Sequence, residues 1–275
     1  RQALSIIRYD ISLMSEKLLK DSRQMATSKD MGTKIKFLAE EKSRAFMTRD
    51  TYREVAREIC NIGLTGNIWK MSIYDLEGEL AGFALIESDV VTMGYPHIAS
   101  TPGYQIARFK SRDKLRKEDW LFVPQFTDIL IKYQKAIPEQ ERVGFEKIGD
   151  FVCLVTDVPI TAMKYNIKSD ELERTQVGFV KAVRKLEADF VGRMAKLTGT
   201  KINIFSRQGL TVGDLSEYNN LEPYLPPEGD QKNIFSDLRL VNESYFQGII
   251  PLYDEDSECV GAIAALWSKA VARAN

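Results

Sequence analysis

The stretch Ile68-Trp69-Lys70-Met71-Ser72-Ile73-Tyr74-Asp75-Leu76-Glu77-Gly78-Glu79-Leu80-Ala81-Gly82-Phe83-Ala84-Leu85-Ile86 decides the fold. Two apolar-rich runs, Ile68 to Tyr74 and Leu80 to Ile86, flank a polar turn at Asp75 to Glu79. Gly78 supplies the backbone freedom such a turn needs, so the stretch reads as a β-hairpin. Part of it returns late in the chain. Tyr74-Asp75, Glu79 and Gly82 recur at the same spacing as Tyr253-Asp254, Glu258 and Gly261, between the runs Tyr245 to Tyr253 and Glu258 to Trp267. Four matches can arise by chance in hairpins, but two related β-modules in tandem would also produce them.

Upstream of the hairpin the spacing is helical. Leu4, Ile7, Ile11, Met14 and Leu18 alternate steps of three and four, the seam of a coiled coil or helical bundle. Two readings follow: an amphipathic helix packed on its own domain, or a stalk helix pairing with a second copy to give a homodimer. A softer stretch covers Ala26 to Gly32. Helical spacing resumes with Ile35, Leu38, Ala39 and Phe46, interrupted by Lys42. Asp50 is the expected N-cap of a further helix with Tyr52, Val55, Ile59 and Ile62 on its apolar face, ended by Gly63 and Gly66.

Downstream, Ser88 to about Gly149 reads as a long irregular insertion with one helix at Phe126 to Lys135. Insertions of that length usually build a site. Strands return at Phe151 to Ile160 and Gln176 to Leu186, around a polar loop at Lys164 to Arg174. A helix at Ala188 to Leu197 closes on Gly199. Strands at Lys201 to Ser206 and Leu210 to Leu215 precede a second irregular insertion, Ser216 to about Asn242, with Pro223, Pro226 and Pro227. The fold class is α+β: a long N-terminal helix, then two antiparallel-sheet modules. The expected divisions are N-terminal helices at 1–62, a first module at 63–187, and a second at 188–275 with the start of a C-terminal helix.

Composition narrows the function. Hydrophobic residues make up 44% and charged residues 28% of the 275, the balance of a globular protein with a core. Net charge is −1, from 38 basic and 39 acidic residues, which gives no support to nucleic-acid binding. The three cysteines, Cys60, Cys153 and Cys259, are too scattered for a disulfide framework and read as buried thiols. The single histidine, His97, lacks the partners of a Ser-His-Asp or Cys-His mechanism and of a zinc site. No phosphate-cradling glycine motif is present. The acidic turn Asp254, Glu255, Asp256 and Glu258 lacks the pattern of a calcium loop and reads as solvated. Neither a catalytic constellation nor a cofactor is expected. No apolar run is long enough to span a bilayer. The chain opens at Arg1 and stops at Asn275 inside helical patterns, which leads us to expect a piece of a longer protein with membrane spans in its flanks.

Five residues are candidates for ligand contact. Tyr104 and Trp120 bracket a basic run, Arg108, Lys110, Arg112, Lys114, Arg116 and Lys117. A guanidinium pairs with a carboxylate in bidentate fashion while rings exclude water, and Arg108 is nearest to Tyr104. Asp157 sits in an otherwise apolar strand, where a carboxylate needs a partner: a ligand's ammonium or a backbone turn. Tyr74, on the deciding hairpin, completes the set.

Several stretches together carry a family resemblance. They are the opening helix; Thr156-Asp157-Val158-Pro159-Ile160 followed by Gln176-Val177-Gly178-Phe179-Val180; Phe190-Val191 through Leu197-Thr198-Gly199 with Lys201-Ile202-Asn203-Ile204-Phe205; and Pro251-Leu252-Tyr253-Asp254 through Val260-Gly261 and Leu266-Trp267-Ser268-Lys269. This arrangement resembles the double-Cache (tandem PAS-like) extracytoplasmic sensor domains of methyl-accepting chemotaxis receptors and sensor histidine kinases. The resemblance implies two PAS-like modules, a periplasm-facing domain of an inner-membrane receptor, no catalysis, and a small molecule such as an organic acid or amino acid bound in the membrane-distal module. Amino-acid sensors of this type carry a compact tyrosine–arginine–tryptophan–tyrosine cluster and a later aspartate. Here Tyr104, Arg108, Trp120 and Asp157 echo that set, but Trp120 is distant from Arg108 and no tyrosine follows it closely. The alternatives are a cytoplasmic GAF- or PAS-like regulatory module and a carboxylate-based enzyme.

Overall fold

The computed structural model describes residues 1–97, 101–111, 113, 119–126, 128–221, 233–241 and 243–274. They form two units: one of residues 17–142 and 156–184, the other of 1–16, 143–155 and 185–275.

The helical start is as its spacing requires. Helix α1 spans Gln2–Thr27 and α2 spans Met31–Glu40. Between them Lys29 and Asp30 take left-handed backbone angles, φ 44° and 56°, which breaks the helix where the sequence softens. The seam residues Leu4, Ile7, Met14 and Leu18 are all buried. A side chain added at Gly248 would come within 2.8 Å of Leu4, so this part of the seam lies against a strand of the same chain. Four of the five seam residues are therefore buried within the same chain, the first of the two readings, while Ile11 is half-buried. Tyr9 and Leu13 are the apolar residues of α1 that remain exposed.

Helix α3 runs Ala45–Gly66, starting five residues before the expected cap; Asp50 lies inside it. The start follows a turn at residues 41–44, where Arg44 N donates to the Glu41 carbonyl at 2.9 Å. Its apolar face, Tyr52, Val55, Ile59 and Ile62, is buried. Each such aliphatic group contributes roughly 1.5–3 kcal/mol on leaving water. At Gly82 a Cβ would meet Val55 and Ile59 at 3.0 and 3.2 Å, so glycine lets α3 lie close on the sheet.

That sheet has eight strands in the order β5-β4-β3-β2-β1-β8-β7-β6. They are β1 Lys70–Asp75, β2 Leu80–Glu87, β3 Val90–His97, β4 Gly103–Lys110, β5 Leu121–Val123, β6 Arg142–Ile148, β7 Phe151–Asn166 and β8 Glu171–Lys185. The pairings from β5 through β8 are antiparallel. The region from Ser88 to Gly149 is thus not irregular, since it contributes four strands. β3 is buried at six successive positions, so it lacks the alternation that marks a half-exposed strand. The helix expected at Phe126 to Lys135 is absent among the described residues. Carbonyls at 128–131, which a helix would use internally, accept hydrogen bonds from the sheet instead. The loop at Lys164 to Arg174 is also tighter than expected, because β7 and β8 extend to Asn166 and Glu171.

The other unit holds α4 (Ala188–Thr198) and a five-stranded antiparallel sheet, order β10-β9-β13-β12-β11. Its strands are β9 Lys201–Ser206, β10 Gly209–Gly213, β11 Ile234–Arg239, β12 Ser244–Tyr253 and β13 Cys259–Ser268; α5 follows at Lys269–Ala274. The second insertion therefore contains β11, while Pro223, Pro226 and Pro227 lie outside the described residues. Asn203 is fully buried here, yet its amide bonds the Leu215 and Tyr218 carbonyls at 2.8 and 3.1 Å and accepts from Leu215 N at 3.0 Å. Tyr218 donates to Gln247, which donates to Ser236. These buried polar groups are neutral and satisfy one another.

The internal echo is physical. Asp75 Oδ1 accepts the amides of Glu77 and Glu79 at 2.8 and 2.9 Å; Asp254 Oδ1 accepts those of Asp256 and Glu258, both at 2.9 Å. Gly78 (φ 76°) and Ser257 (φ 65°) occupy the same left-handed position. A bulge precedes each turn, at Ile73/Tyr74 and at Leu252/Tyr253. The three cysteines are buried and form no disulfide. No helix among the described residues is long and apolar enough to cross a membrane.

Candidate functional site

Alternation sorts the first unit's side chains onto two faces, and directly paired residues share a face. α3 covers one. On the other, the register sets Ser72 beside Phe83 and Lys181, Tyr74 beside Phe179, and Phe83 beside Gly94 and then Ile106. Tyr104 lies two residues from Ile106 on the same face. At Gly94 a Cβ would come within 2.6 Å of the Phe83 ring, so the missing side chain makes room for it.

The result is an aromatic cluster. Tyr74 lies 5.5 Å from Phe179 and 5.4 Å from Tyr133, Phe179 and Tyr133 are 4.9 Å apart, and Phe83 meets Tyr104 edge-on at 6.1 Å. A segment at 128–138 covers it. Tyr104 donates to the Ile129 carbonyl at 2.8 Å, Tyr74 to Leu130 at 3.1 Å and Lys70 to Asp128 at 2.9 Å. Backbone bonds join Tyr133 N to Gly78 O and Leu80 N to Ile131 O, and Gln176 holds the Pro138 carbonyl.

A buried charge pair borders the cluster. Asp157 on β7 and Lys181 on β8 approach to 3.6 Å with side chains 3% and 13% exposed. Lys181 Nζ also lies 5.8 Å from the Tyr133 ring centre. Burial, with smaller contributions from Tyr104 and Asp157, pushes the Tyr74 phenol up to about 12. Tyr74 is thus a neutral donor over the physiological range.

Tyr74, Tyr104 and Asp157 come to one face, as neighbours of the same cover and cluster. Arg108 sits on the Tyr104 face by alternation but is exposed. Its run is visible only in part, since Arg112, Lys114, Arg116 and Lys117 lie outside the described residues. Trp120 is on the other side of the sheet, 5.1 Å from Tyr95 and under the guanidinium of Arg53 at 5.4 Å. Lys181, Phe179 and Tyr133 are absent from the sequence-based set. The signal for Lys181 was the same as for Asp157, a charge inside an apolar run, Val177-Gly178-Phe179-Val180-Lys181-Ala182-Val183.

The acidic turn of β1 and β2 is the one cluster among the described residues with metal-like spacing, Asp75, Glu77 and Glu79. Lys42 Nζ already stands among these carboxylates at 2.7, 2.8 and 2.8 Å. Partial burial works against its charge, but the hydrogen bonds it donates to Asp75, Glu77 and Glu79 outweigh it and raise its pKa above the usual lysine value. The ammonium takes the position a cation would need.

No family model and no curated protein matches the sequence. Solved structures match in fold. The extracellular domain of vpHK1S-Z8, a protein assigned as a histidine kinase, is 9% identical over 100% of this chain and 95% of that one, at TM-score 0.51. The V. cholerae histidine kinase DctB sensor domain is 11% identical over 98% and 95%, at TM-score 0.45. The ligand-binding domain of the Campylobacter jejuni chemoreceptor Tlp3, solved with L-valine, is 9% identical over 99% and 89%, at TM-score 0.39. At the level of fold, the chain shares with the first of these a long N-terminal helix followed by two antiparallel sheets.

Proposed function

We propose that this chain is the ligand-sensing domain of a transmembrane signalling receptor, facing the periplasm or cell exterior, binding without catalysis. A small molecule, an amino acid or organic acid, binds the aromatic face of the first unit, and the change passes through the helices to the membrane. Residues 63–187 act as the membrane-distal module and 188–275 as the proximal one. A homodimer through α1 would use its outer face, with Tyr9 and Leu13, because four of the five seam residues are buried.

The observation that carries the reading is the Asp157–Lys181 pair beside three aromatic rings, under a segment fastened by side-chain hydrogen bonds. Opposite charges held out of water are costly to keep unless they serve each other or a guest. A ligand carrying an ammonium or carboxylate can exchange with one partner of the pair while the rings take its apolar part. Entry requires the cover to release Tyr74 and Tyr104, which couples binding to a movement. Among the described residues, the buried polar groups of the second unit are neutral and hydrogen-bonded, so it suits transmission. The fold shared with an extracellular kinase domain supports the same reading.

A thermal-shift screen of amino acids, organic acids and amines tests it. A ligand bound only by the native state raises the melting temperature by mass action. A shift for one class should vanish in Asp157→Asn or Lys181→Met. A shift that persists unchanged in both variants would place the ligand elsewhere and overturn the site.

A further inference from the structure

We infer that the α3 side of the same sheet carries a second small-molecule site, which takes a carboxylate with an apolar body and no ammonium. A cavity of about 400 Å³ opens there, lined by Arg49, Tyr52 and Arg53 of α3 and by Tyr95, His97 and Gln105 of β3 and β4. That volume is within the usual span for a small ligand, roughly 300–1,000 Å³. The inference does not depend on the covered face, since the two sites are on opposite sides of the sheet.

Charge points to the ligand. Arg53 is half-buried, with Nε donating to the Tyr95 hydroxyl at 3.2 Å and its guanidinium over Trp120. It has no carboxylate partner among the described residues. Arg49, with its side chain 52% exposed, has one carboxylate partner among the described residues, Asp50 at 3.6 Å, which is itself 80% exposed. No acidic residue lines the cavity among the described residues. A half-desolvated guanidinium without a counter-ion is costly, and a carboxylate supplies one through paired N–H bonds. Tyr52 and Tyr95 stack at 5.6 Å and 10°, giving a flat wall for an apolar body. Behind it, Trp120 Nε1 is buried with no acceptor among the described residues. A zwitterionic amino acid would bring an ammonium that nothing here balances, so the site selects against it.

Calorimetric titration of the whole 275-residue chain tests this, with benzoate and hexanoate as probes and phenylalanine and benzylamine as controls. Benzoate or hexanoate should bind saturably, and the controls should not. Arg53→Met should weaken binding roughly ten- to hundredfold, the size of a lost charge-assisted hydrogen bond. Arg53→Lys, which keeps the charge and loses the fork, should weaken it less and decides the matter if the Met variant does not fold. Asp157→Asn should leave binding unchanged. Three results overturn the site: no saturable carboxylate binding, equal affinity in the Arg53 variants, or loss in Asp157→Asn with Arg53→Met intact. The last would move the carboxylate to the covered face.

Discussion

The paired turns at Asp75 and Asp254 form a controlled experiment inside one chain. Each aspartate accepts two backbone amides from the same relative positions, but the settings differ. Asp75 is 5% exposed and also holds Lys42 at 2.7 Å, whereas Asp254 is half-buried with a neighbouring turn open to solvent. Buried hydrogen bonds to a charged acceptor contribute roughly 1.5–3 kcal/mol each, and exposed ones less because water replaces them. Asp75→Ala should therefore cost about 3–4 kcal/mol, and Asp254→Ala about 1–2 kcal/mol. Asp75→Asn keeps the amide acceptor and removes only the charge facing Lys42. Glu77 and Glu79 still hold that ammonium, so about 1 kcal/mol should be lost. Urea unfolding followed by circular dichroism measures all three, with the transitions of the two units fitted separately. Equal losses at Asp75 and Asp254 would refute the argument that burial and Lys42 set the difference. So would an Asn variant as damaged as the Ala one, because the backbone amides would then not be what the carboxylate serves.

Two further predictions concern other polar contacts. Burial alone would raise the Glu58 carboxyl, but hydrogen bonds from Lys29 and Ser28 override it and hold it below its ordinary 4.5. Its contribution to stability is therefore complete above that value and is lost as pH falls through the lowered folded value; acid melts should show Glu58→Gln converging with the parent only at the acid end, and parallel curves would contradict the linkage. Tyr104→Phe removes the bond to the Ile129 carbonyl at about 0.5–1.5 kcal/mol, so amide hydrogen exchange over 128–133 should quicken while β9 to β13 stay unchanged.

The fold was legible where a local pattern and its tertiary use agree. The Asp75–Glu79 hairpin, the α3 stripe and the Gly199 stop each state in sequence what packing then employs. The repeated Tyr-Asp motif was legible for a stronger reason: the aspartate folds its own turn, so the same letters give the same hydrogen bonds in both modules. Legibility failed at β3, where both faces are buried and Val90 to His97 show no alternation. It failed again at 128–135, whose helical composition is overridden because the sheet's tyrosines, Lys70 and Leu80 N claim its carbonyls. No local signal reports a partner fifty residues away.

The site was harder to read than the fold because sequence proximity says nothing about which face a side chain takes. Tyr104, Arg108 and Trp120 look like one cluster in the chain. On β4, Tyr104 turns under the cover, and Arg108, four residues on, reaches the same face beyond it in solvent. Trp120 packs through Tyr95 onto α3. One letter group is thereby divided between two sides of a sheet. On the covered side, the counterpart of Asp157 is Lys181, twenty-four residues later, joined to it only by the β7–β8 register. On the α3 side, Trp120 meets an arginine from a helix that precedes the whole sheet. Each side ends with an arginine or lysine against aromatic rings, but among the described residues Lys181 has a carboxylate partner and Arg53 has none. That asymmetry separates the two proposed ligands: a molecule able to exchange with an ion pair on one face, and a simple anion on the other.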